Sequence, residues 1–467
     1  MADHQPRQNA AEPAHQDSAV IVIGGGITGL ATAWALHRAG RSVLVFEAAG
    51  RVGGQIRTER LPAALGGGLV DVGAESIHLG TPQLARLVGE LGLRDSVVGA
   101  EPGASRLVTA RGLRPLPAGI APTGPTRLWP VLRSGILSPA GLARAGLEPL
   151  TARRRFARDV SVGEFVRARF GDEVAETFVD PLLGNLHAGD IDRLSLSSVA
   201  PQLAPAAATG RSLVLRRRRP GGTPGPLFAS WPDGLSRLPS ALAEGLPAGT
   251  VRTGTPVRGL RRGGDGWTVL TDAGESAAGE VVLAVPGAVA AALLEPEFPG
   301  LGAELTAGRT ADVATIVLAY PRAAAEGRLA GNGVLLRTDS GRVLKAATWL
   351  SRKWARLRDP ELFLVRASAG RAGVDELSGF DDAGLAGRIH RDLAEVTGLA
   401  AEPVGSLVTR WPGAFPQLEV GHAARMAAVR ARVAGSGLHL AGAAVDGLGL
   451  SATVRSALAA AEAISAA

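Results

Sequence analysis

Ala19-Val20-Ile21-Val22-Ile23-Gly24-Gly25-Gly26-Ile27-Thr28-Gly29 is the stretch that decides the fold of this chain. Its first five residues form an unbroken apolar run rich in β-branched side chains, the pattern of a strand buried on both faces of a parallel sheet. Gly24, Gly26 and Gly29 follow at G-x-G-x-x-G spacing. Leu30 to Ala39 then reads as a helix closed by Gly40, and Val43-Leu44-Val45-Phe46 as a second strand closed by Glu47. Each part has a physical task. Gly24 permits a tight turn, Gly26 lets the backbone approach a pyrophosphate, and Gly29 lets helix and strand pack closely. The helix start offers free N–H groups and a partial positive charge to the phosphates. Glu47 lies at the distance from the glycines where an acid meets a ribose. A lone glycine motif is weak evidence; strand, glycines, helix, strand and acid in this order make a dinucleotide-binding unit of Rossmann type.

The next segment narrows the dinucleotide. Arg51-Val52-Gly53-Gly54-Gln55-Ile56-Arg57-Thr58 fits the pattern R-x-G-G-x-x-x-T. It is similar to the segment that follows the ribose-binding acid in the large FAD family that includes amine oxidases. There Gly53 and Gly54 would pack closely on the cofactor, and Arg51 would neutralise phosphate charge. No second G-x-G-x-x-G follows a strand in mid-chain, so stable NAD(P)H binding is not expected and oxygen is the expected electron acceptor. Cysteine is absent, which excludes disulfides, thiolate metal sites and a cysteinyl flavin link. Redox chemistry therefore falls to a cofactor. The eight histidines form no metal-binding pattern.

The chain has 467 residues, enough for two or three domains, and 46% of them are hydrophobic. No apolar run reaches the roughly 20 residues that span a bilayer. No amphipathic anchor stands out, although peripheral membrane contact is left open. The polar stretch 1–18 reads as a disordered tail without a secretory h-region, and a cytoplasmic location is expected. The formal charge of +7 comes almost wholly from arginine, since Lys345 and Lys353 are the only lysines. Arg153–Arg154–Arg155 with Arg158 and Arg216 to Arg219 are the basic clusters; the second runs into Pro220 to Pro226 and reads as a solvated loop. With few aromatics and a single tyrosine, Tyr320, nucleic-acid binding is not expected. No pattern fixes an oligomeric state.

The dinucleotide domain is expected to be discontinuous. Val281 to Pro286 is a second buried-strand signal, preceded by strand-like Val257 to Arg262 and Trp267 to Thr271, with a helix from Gly287. Leu438 to Ala443 is a further strand, and Asp446-Gly447-Leu448-Gly449-Leu450-Ser451 opens a last Ala-rich helix whose N-terminus can face the flavin ring. Ser161-Val162-Gly163-Glu164 is a capping box that starts a helix through Phe170. Asp381 to Thr397 is an amphipathic helix, and Thr315 to Tyr320, Val334 to Arg337, Lys345 to Leu350 and Phe363 to Ala367 read as strands of one sheet. The expected fold class is α/β with an α+β substrate domain. An FAD-binding domain (19–80, 228–300, 420–467) interleaves with a mixed-sheet substrate domain carrying a helical insertion (81–227, 301–419).

Further landmarks resemble the bacterial protoporphyrinogen/coproporphyrinogen oxidases over nearly the whole chain. They are Asp71-Val72-Gly73-Ala74-Glu75-Ser76, Glu90 to Leu93, Arg114 to Pro117, Pro181 to Asp190, Lys353-Trp354, Arg410-Trp411, Pro416-Gln417 and Gly421-His422. The resemblance implies an amine-oxidase-like fold. It also implies FAD held non-covalently by Gly24, Gly25, Gly26, Ile27, Thr28, Gly29, Glu47, Ala48, Gln55, Gly73, Ala74, Glu75, Ser76, Val257, Trp411, Gly442, Leu448, Gly449 and Leu450. The implied reaction is the stepwise six-electron oxidation of a porphyrinogen, coproporphyrinogen III or protoporphyrinogen IX, in haem biosynthesis. Hydride passes to flavin at each step and oxygen reoxidises the flavin. Three departures fall at the expected pocket. His78 is the only basic candidate after Ser76, Asn185 and His187 stand where the family usually has glycine and an aromatic, and Leu418 replaces an aromatic. The alternative is therefore a divergent flavin oxidase acting on an amine or a secondary-metabolite intermediate. Asn185, His187 and His78 are the pocket candidates, the two histidines could titrate near neutral pH, and Lys345 or Lys353 could reach the flavin. A catalytic side chain is not identified.

Overall fold

The computed structural model describes residues 20–466 apart from 110, 122–123, 126, 216–227 and 265. The expected tail at 1–18 and the Arg216–Pro226 loop lie outside the described residues. Five parallel strands form one sheet in the order Val251–Arg252, Val43–Phe46, Val20–Ile23, Glu280–Leu283, Leu438–Leu440. Val20 to Ile23 are almost wholly buried, as an apolar run covered on both faces requires. On one face lie the helix Ile27–Arg38 and the last helix, Leu450–Ala466. On the other lie the antiparallel strands Val257–Gly263, Gly266–Thr271 and Gly274–Ala278, with the helices Gly287–Leu294 and His422–Val433. Two strands are shorter than the sequence suggests. Pro286 cannot donate to a ladder and starts the helix Gly287–Leu294, and Gly442 turns the chain out of the last strand at φ +113°.

A second, mixed sheet of seven strands runs Gly405–Pro416, Thr310–Pro321, Leu362–Ala369, Ala346–Trp349, Gly333–Leu335, Ser105–Thr109, Gly112–Pro115. All four strands expected for one sheet are in it. The three others were not legible. Gly405–Pro416 and Gly112–Pro115 are edge strands in which proline and polar residues blur any alternation. One face of this sheet packs on the helix Asp382–Thr397, capped by Asp381 Oδ1 accepting from Gly384 N at 2.7 Å. The other face, with Val317, Ala319 and Leu364, packs on Leu61, Leu65, Val70 and Val72.

Helices between 128 and 209 make a third body around Phe165, Phe170 and Phe178. Ser161 caps its helix as expected, its hydroxyl accepting from Glu164 N at 3.0 Å. The Glu164 carboxylate is engaged by Arg158 at 3.1 Å. Ser161→Ala is expected to cost about 1 kcal/mol in urea unfolding, the usual value of a lost N-cap. Ala175–Gly184 winds as a wide π-helix containing Pro181, whose missing N–H rules out regular α-helical bonding there. That helix delivers Asn185 and His187 to the sheet.

Candidate active site

The glycine turn sits at the carboxyl edge of the parallel sheet. Gly24 has φ +108°, a conformation that favours glycine. A Cβ on Gly29 would lie 1.8 Å from Gly24 O, so helix and turn touch backbone to backbone there. A Cβ on Gly26 would meet nothing closer than Gly54 Cα at 4.0 Å. Gly25 O accepts from Gly53 N at 2.8 Å, and Gly26 bridges to Gly53, so the two glycine segments form the walls of one open cradle. A pyrophosphate fits that cradle: it is free of side chains and lies beside the first turn of the helix Ile27–Arg38. Arg51 is committed to its own turn, donating to Val52 O, Gly54 O and Ile56 O at 3.0, 2.7 and 3.2 Å. It shapes the cradle rather than standing free over it.

Glu47 closes the second strand and is oriented by backbone. Its Oε2 accepts from Gly25 N at 2.6 Å and its Oε1 from Ala49 N at 2.7 Å, leaving further lone pairs on both oxygens for hydroxyl donors. Glu47 N donates to Arg252 O and Glu47 O accepts from Thr255 N, which ties the segment that carries Ala48 to the one that leads into Val257. Glu47→Ala is expected to weaken FAD by about 1–3 kcal/mol, the scale of a charged hydrogen bond, measured by flavin titration of the apoprotein.

Gly73, Ala74, Glu75 and Ser76 form the next wall. A Cβ on Gly73 would lie 1.9 Å from Gln55 O, and Ala74 N donates to that oxygen at 3.0 Å. Gln55 Nε2 donates to Ala414 O at 2.8 Å and Trp411 Nε1 to Val72 O at 3.2 Å, which pins this turn to the edge strand Gly405–Pro416. The Glu75 side chain is buried and paired: Lys353 Nζ lies 2.8 Å from Oε1, Arg366 Nη1 2.9 Å from Oε2, and Trp354 Nε1 donates to Oε1 at 2.9 Å. Arg366 also donates to Gly73 O. Arg366 went unnoticed as a site residue, although a charge inside the apolar strand Leu362–Ala369 was its signal. At the other chain end, Gly442 approaches Thr28, Gly449 has φ +92° with open space around it, and Leu450 starts the last helix. Leu448 lies on that same turn. Thr81 and Ser451 share a hydrogen bond of 2.9 Å across it.

The pocket candidates divide. Asn185 Nδ2 donates to Pro181 O, Leu336 O and Lys345 O at 3.0, 2.7 and 3.2 Å, so its amide ties the π-helix to the sheet. His187 corrects an expectation. Burial pushes it down to about 4, so it is neutral at pH 7 rather than titrating there. His78 is exposed, its ring edge-on to Phe228 at 5.7 Å. Leu418 is buried and hands its carbonyl to Ser195 N at 2.8 Å. Lys345 is buried beside Asn185, and burial first, then Arg371, pushes its ammonium down to about 7. Lys353 instead reaches Glu75 in the Gly73–Ser76 turn.

The parallel sheet and the glycine cradle at its carboxyl edge define a dinucleotide-binding flavoprotein. The chain belongs to the flavin-containing amine oxidoreductase family, whose model matches residues 27–465, and it is an FAD-dependent oxidase. It is similar to the coproporphyrinogen III oxidase of Bacillus subtilis, 31% identical over 449 residues, covering 92% of this chain and 94% of that one. It is also similar to the coproporphyrinogen III oxidase of Mycobacterium tuberculosis (strain H37Rv), 34% identical over 444 residues, with 93% and 94% covered. Among solved structures, an Exiguobacterium protein described as a protoporphyrinogen oxidase aligns with a TM-score of 0.83 at 28% identity, covering 96% of this chain and 99% of that one. Among the described residues no helix is long and apolar enough to cross a membrane.

Proposed function

We propose that this chain converts a porphyrinogen, coproporphyrinogen III or protoporphyrinogen IX, to the porphyrin in haem biosynthesis, in the cytoplasm and with oxygen as final acceptor. The observation that carries this reading is near full-length similarity to coproporphyrinogen III oxidases, at 31% and 34% identity. Bound FAD supplies the hydride acceptor. What remains for the side chains is modest, because a porphyrinogen gains aromaticity as it is oxidised. Each two-electron step removes a hydride from a bridge carbon together with a proton; over the whole oxidation two of the three protons leave nitrogen and one leaves the remaining bridge carbon. The chain must hold one bridge carbon against the flavin position and keep bulk water out. Gly24 to Gly29 and Glu47 would hold the nucleotide, and Gln55, Gly73 to Ser76, Trp411 and Leu448 to Leu450 would border the flavin.

A second reading, an oxidase of amines or of another secondary-metabolite intermediate, is favoured by the departures at His78, Asn185 and His187. Anaerobic mixing of the holoenzyme with coproporphyrinogen III, protoporphyrinogen IX and a panel of amines, followed by flavin bleaching, separates the two. Bleaching by a porphyrinogen with formation of porphyrin fluorescence is expected. Bleaching by an amine and by neither porphyrinogen would replace the first reading by the second.

A further inference from the structure

Ser105, Gly333, Thr348 and Arg366 stand in one row across four neighbouring strands of the seven-stranded sheet. Ala347 and Trp349, on either side of Thr348, are buried on the face covered by the helix Asp382–Thr397. Thr348 and Arg366 therefore point the other way, towards the Gly73–Ser76 turn, where Arg366 makes its ion pair. Over this row lies a cavity of ≈ 370 Å³, lined by Ser105, Thr348, Asn332, Phe228, Lys353 and the 100–103 segment.

Lys353 is the one cation among those lining residues. Its Nζ lies 5.9 Å from the centre of the Phe228 ring and 5.3 Å from that of Trp354. Its charge is not balanced locally. Glu75 brings one negative charge against the two positive charges of Lys353 and Arg366, and the three side chains are only 8%, 18% and 16% exposed. A net positive charge held this far from water is stabilised by an added anion. Arg366 is turned to Glu75 and Gly73 O. Lys353 gives one donor to Glu75 and has two more, and it is the member of the group that lines the cavity. Glu101, also in the lining, pairs with Arg358 at 3.4 Å, which offsets its charge. Asn332 Nδ2 donates to Glu101 O at 3.0 Å and keeps one further N–H, and the hydroxyls of Ser105 and Thr348 line the same cavity beside Lys353. His78, the basic candidate after Ser76, stacks edge-on against the same Phe228.

We propose that this cavity is a carboxylate-binding subsite of the substrate pocket. Lys353 meets a carboxylate of the substrate there, and the Ser105 and Thr348 hydroxyls donate to it. The inference rests on the porphyrinogen reading for the identity of the acid, a propionate side chain. It makes Lys353, rather than the pocket candidate His78, the basic residue that meets the substrate.

The test uses FAD-loaded protein and the non-reacting products coproporphyrin III and its tetramethyl ester, with binding followed by porphyrin fluorescence. The wild type is expected to prefer the acid by at least about tenfold, the scale of a charge-assisted hydrogen bond. Lys353→Gln should bring the two ligands within about threefold of each other, and Lys353→Arg should restore the preference. Thr348→Val leaves the ion pair intact and should lower the preference in the same direction, which keeps the test decisive if the glutamine variant does not fold. An unchanged acid-to-ester ratio in Lys353→Gln, or in Thr348→Val where only that variant folds, overturns the subsite while leaving the porphyrinogen reading intact. Failure of the wild type to bind either porphyrin, together with no flavin bleaching by a porphyrinogen, overturns both.

Discussion

Gly29→Val is expected to give no folded flavoprotein, whereas Gly26→Val is expected to give a folded protein that retains no FAD. The two positions belong to one motif and differ in what surrounds them. At Gly29 an added Cβ would stand 1.8 Å from Gly24 O and 3.2 Å from the Val22 side chain. The oxygen belongs to a buried turn whose Gly24 is itself fixed against Ala284, where a Cβ would lie 2.4 Å from the carbonyl oxygen. Nothing flexible can give way, so the cost exceeds the ~1–3 kcal/mol of ordinary overpacking. At Gly26 the backbone lies at φ −72° and ψ 178°, which any residue adopts, and a Cβ would have 4.0 Å of clearance to Gly54. Valine is therefore compatible with the fold and fills the gap between the two glycine segments. Circular dichroism melts of the flavin-free proteins should place Gly26→Val within a few degrees of wild type. Flavin titration should show affinity lowered at least about a hundredfold, or ~2.7 kcal/mol. A yellow, saturable Gly26→Val protein would remove the pyrophosphate from this cradle, and a Gly29→Val protein melting like wild type would show that helix and turn can separate.

That contrast marks how far the sequence carried. The glycine unit was legible because a doubly covered parallel strand must be apolar throughout and because its turn, helix and acid follow within one contiguous segment. The same held for the central strands Thr310–Pro321 and Leu362–Ala369, whose apolar runs announce burial. Edge strands carried no such signal, and Gly405–Pro416, with Pro412 and Gly413 in it, holds its place by pairing along Thr310–Pro321 instead. The site was legible where it is made of backbone and illegible where it is made of distant charges. Glu75 meets Arg366 across 291 residues of chain, and no local pattern encodes that meeting. The partners of Asn185 were hidden for a related reason. Its amide is bound by two carbonyls that lie 151 and 160 residues away. His187 kept its candidate position but lost its charge, because burial is a property of the surroundings and not of the residue.

Glu75→Gln is expected to destabilise the protein by ~3–5 kcal/mol at pH 7, the cost of leaving buried charge without its partner. Glutamine keeps the shape and the acceptor for Trp354, so the loss isolates the charge. Burial pushes the Glu75 carboxyl up, but Lys353 and then Arg366, with hydrogen bonds from Lys353 and Trp354, reverse this and hold it at about 2. A folded value below the unfolded value of 4.5 means the stabilising contribution is fully present above pH 4.5 and is lost as pH falls towards 2. Its size over that window is about 3 kcal/mol. Urea unfolding of wild type and Glu75→Gln should therefore differ most from pH 5 upward and converge below it, a pattern that simple loss of packing would not produce. In the variant Lys353 and Arg366 repel each other with no anion between them. Removing one of the two should then relieve the strain, so Glu75→Gln/Lys353→Met is expected to be more stable than Glu75→Gln alone. A double variant no more stable than the single one, or a stability gap that ignores pH, would mean that the carboxylate holds its turn by shape and not by charge.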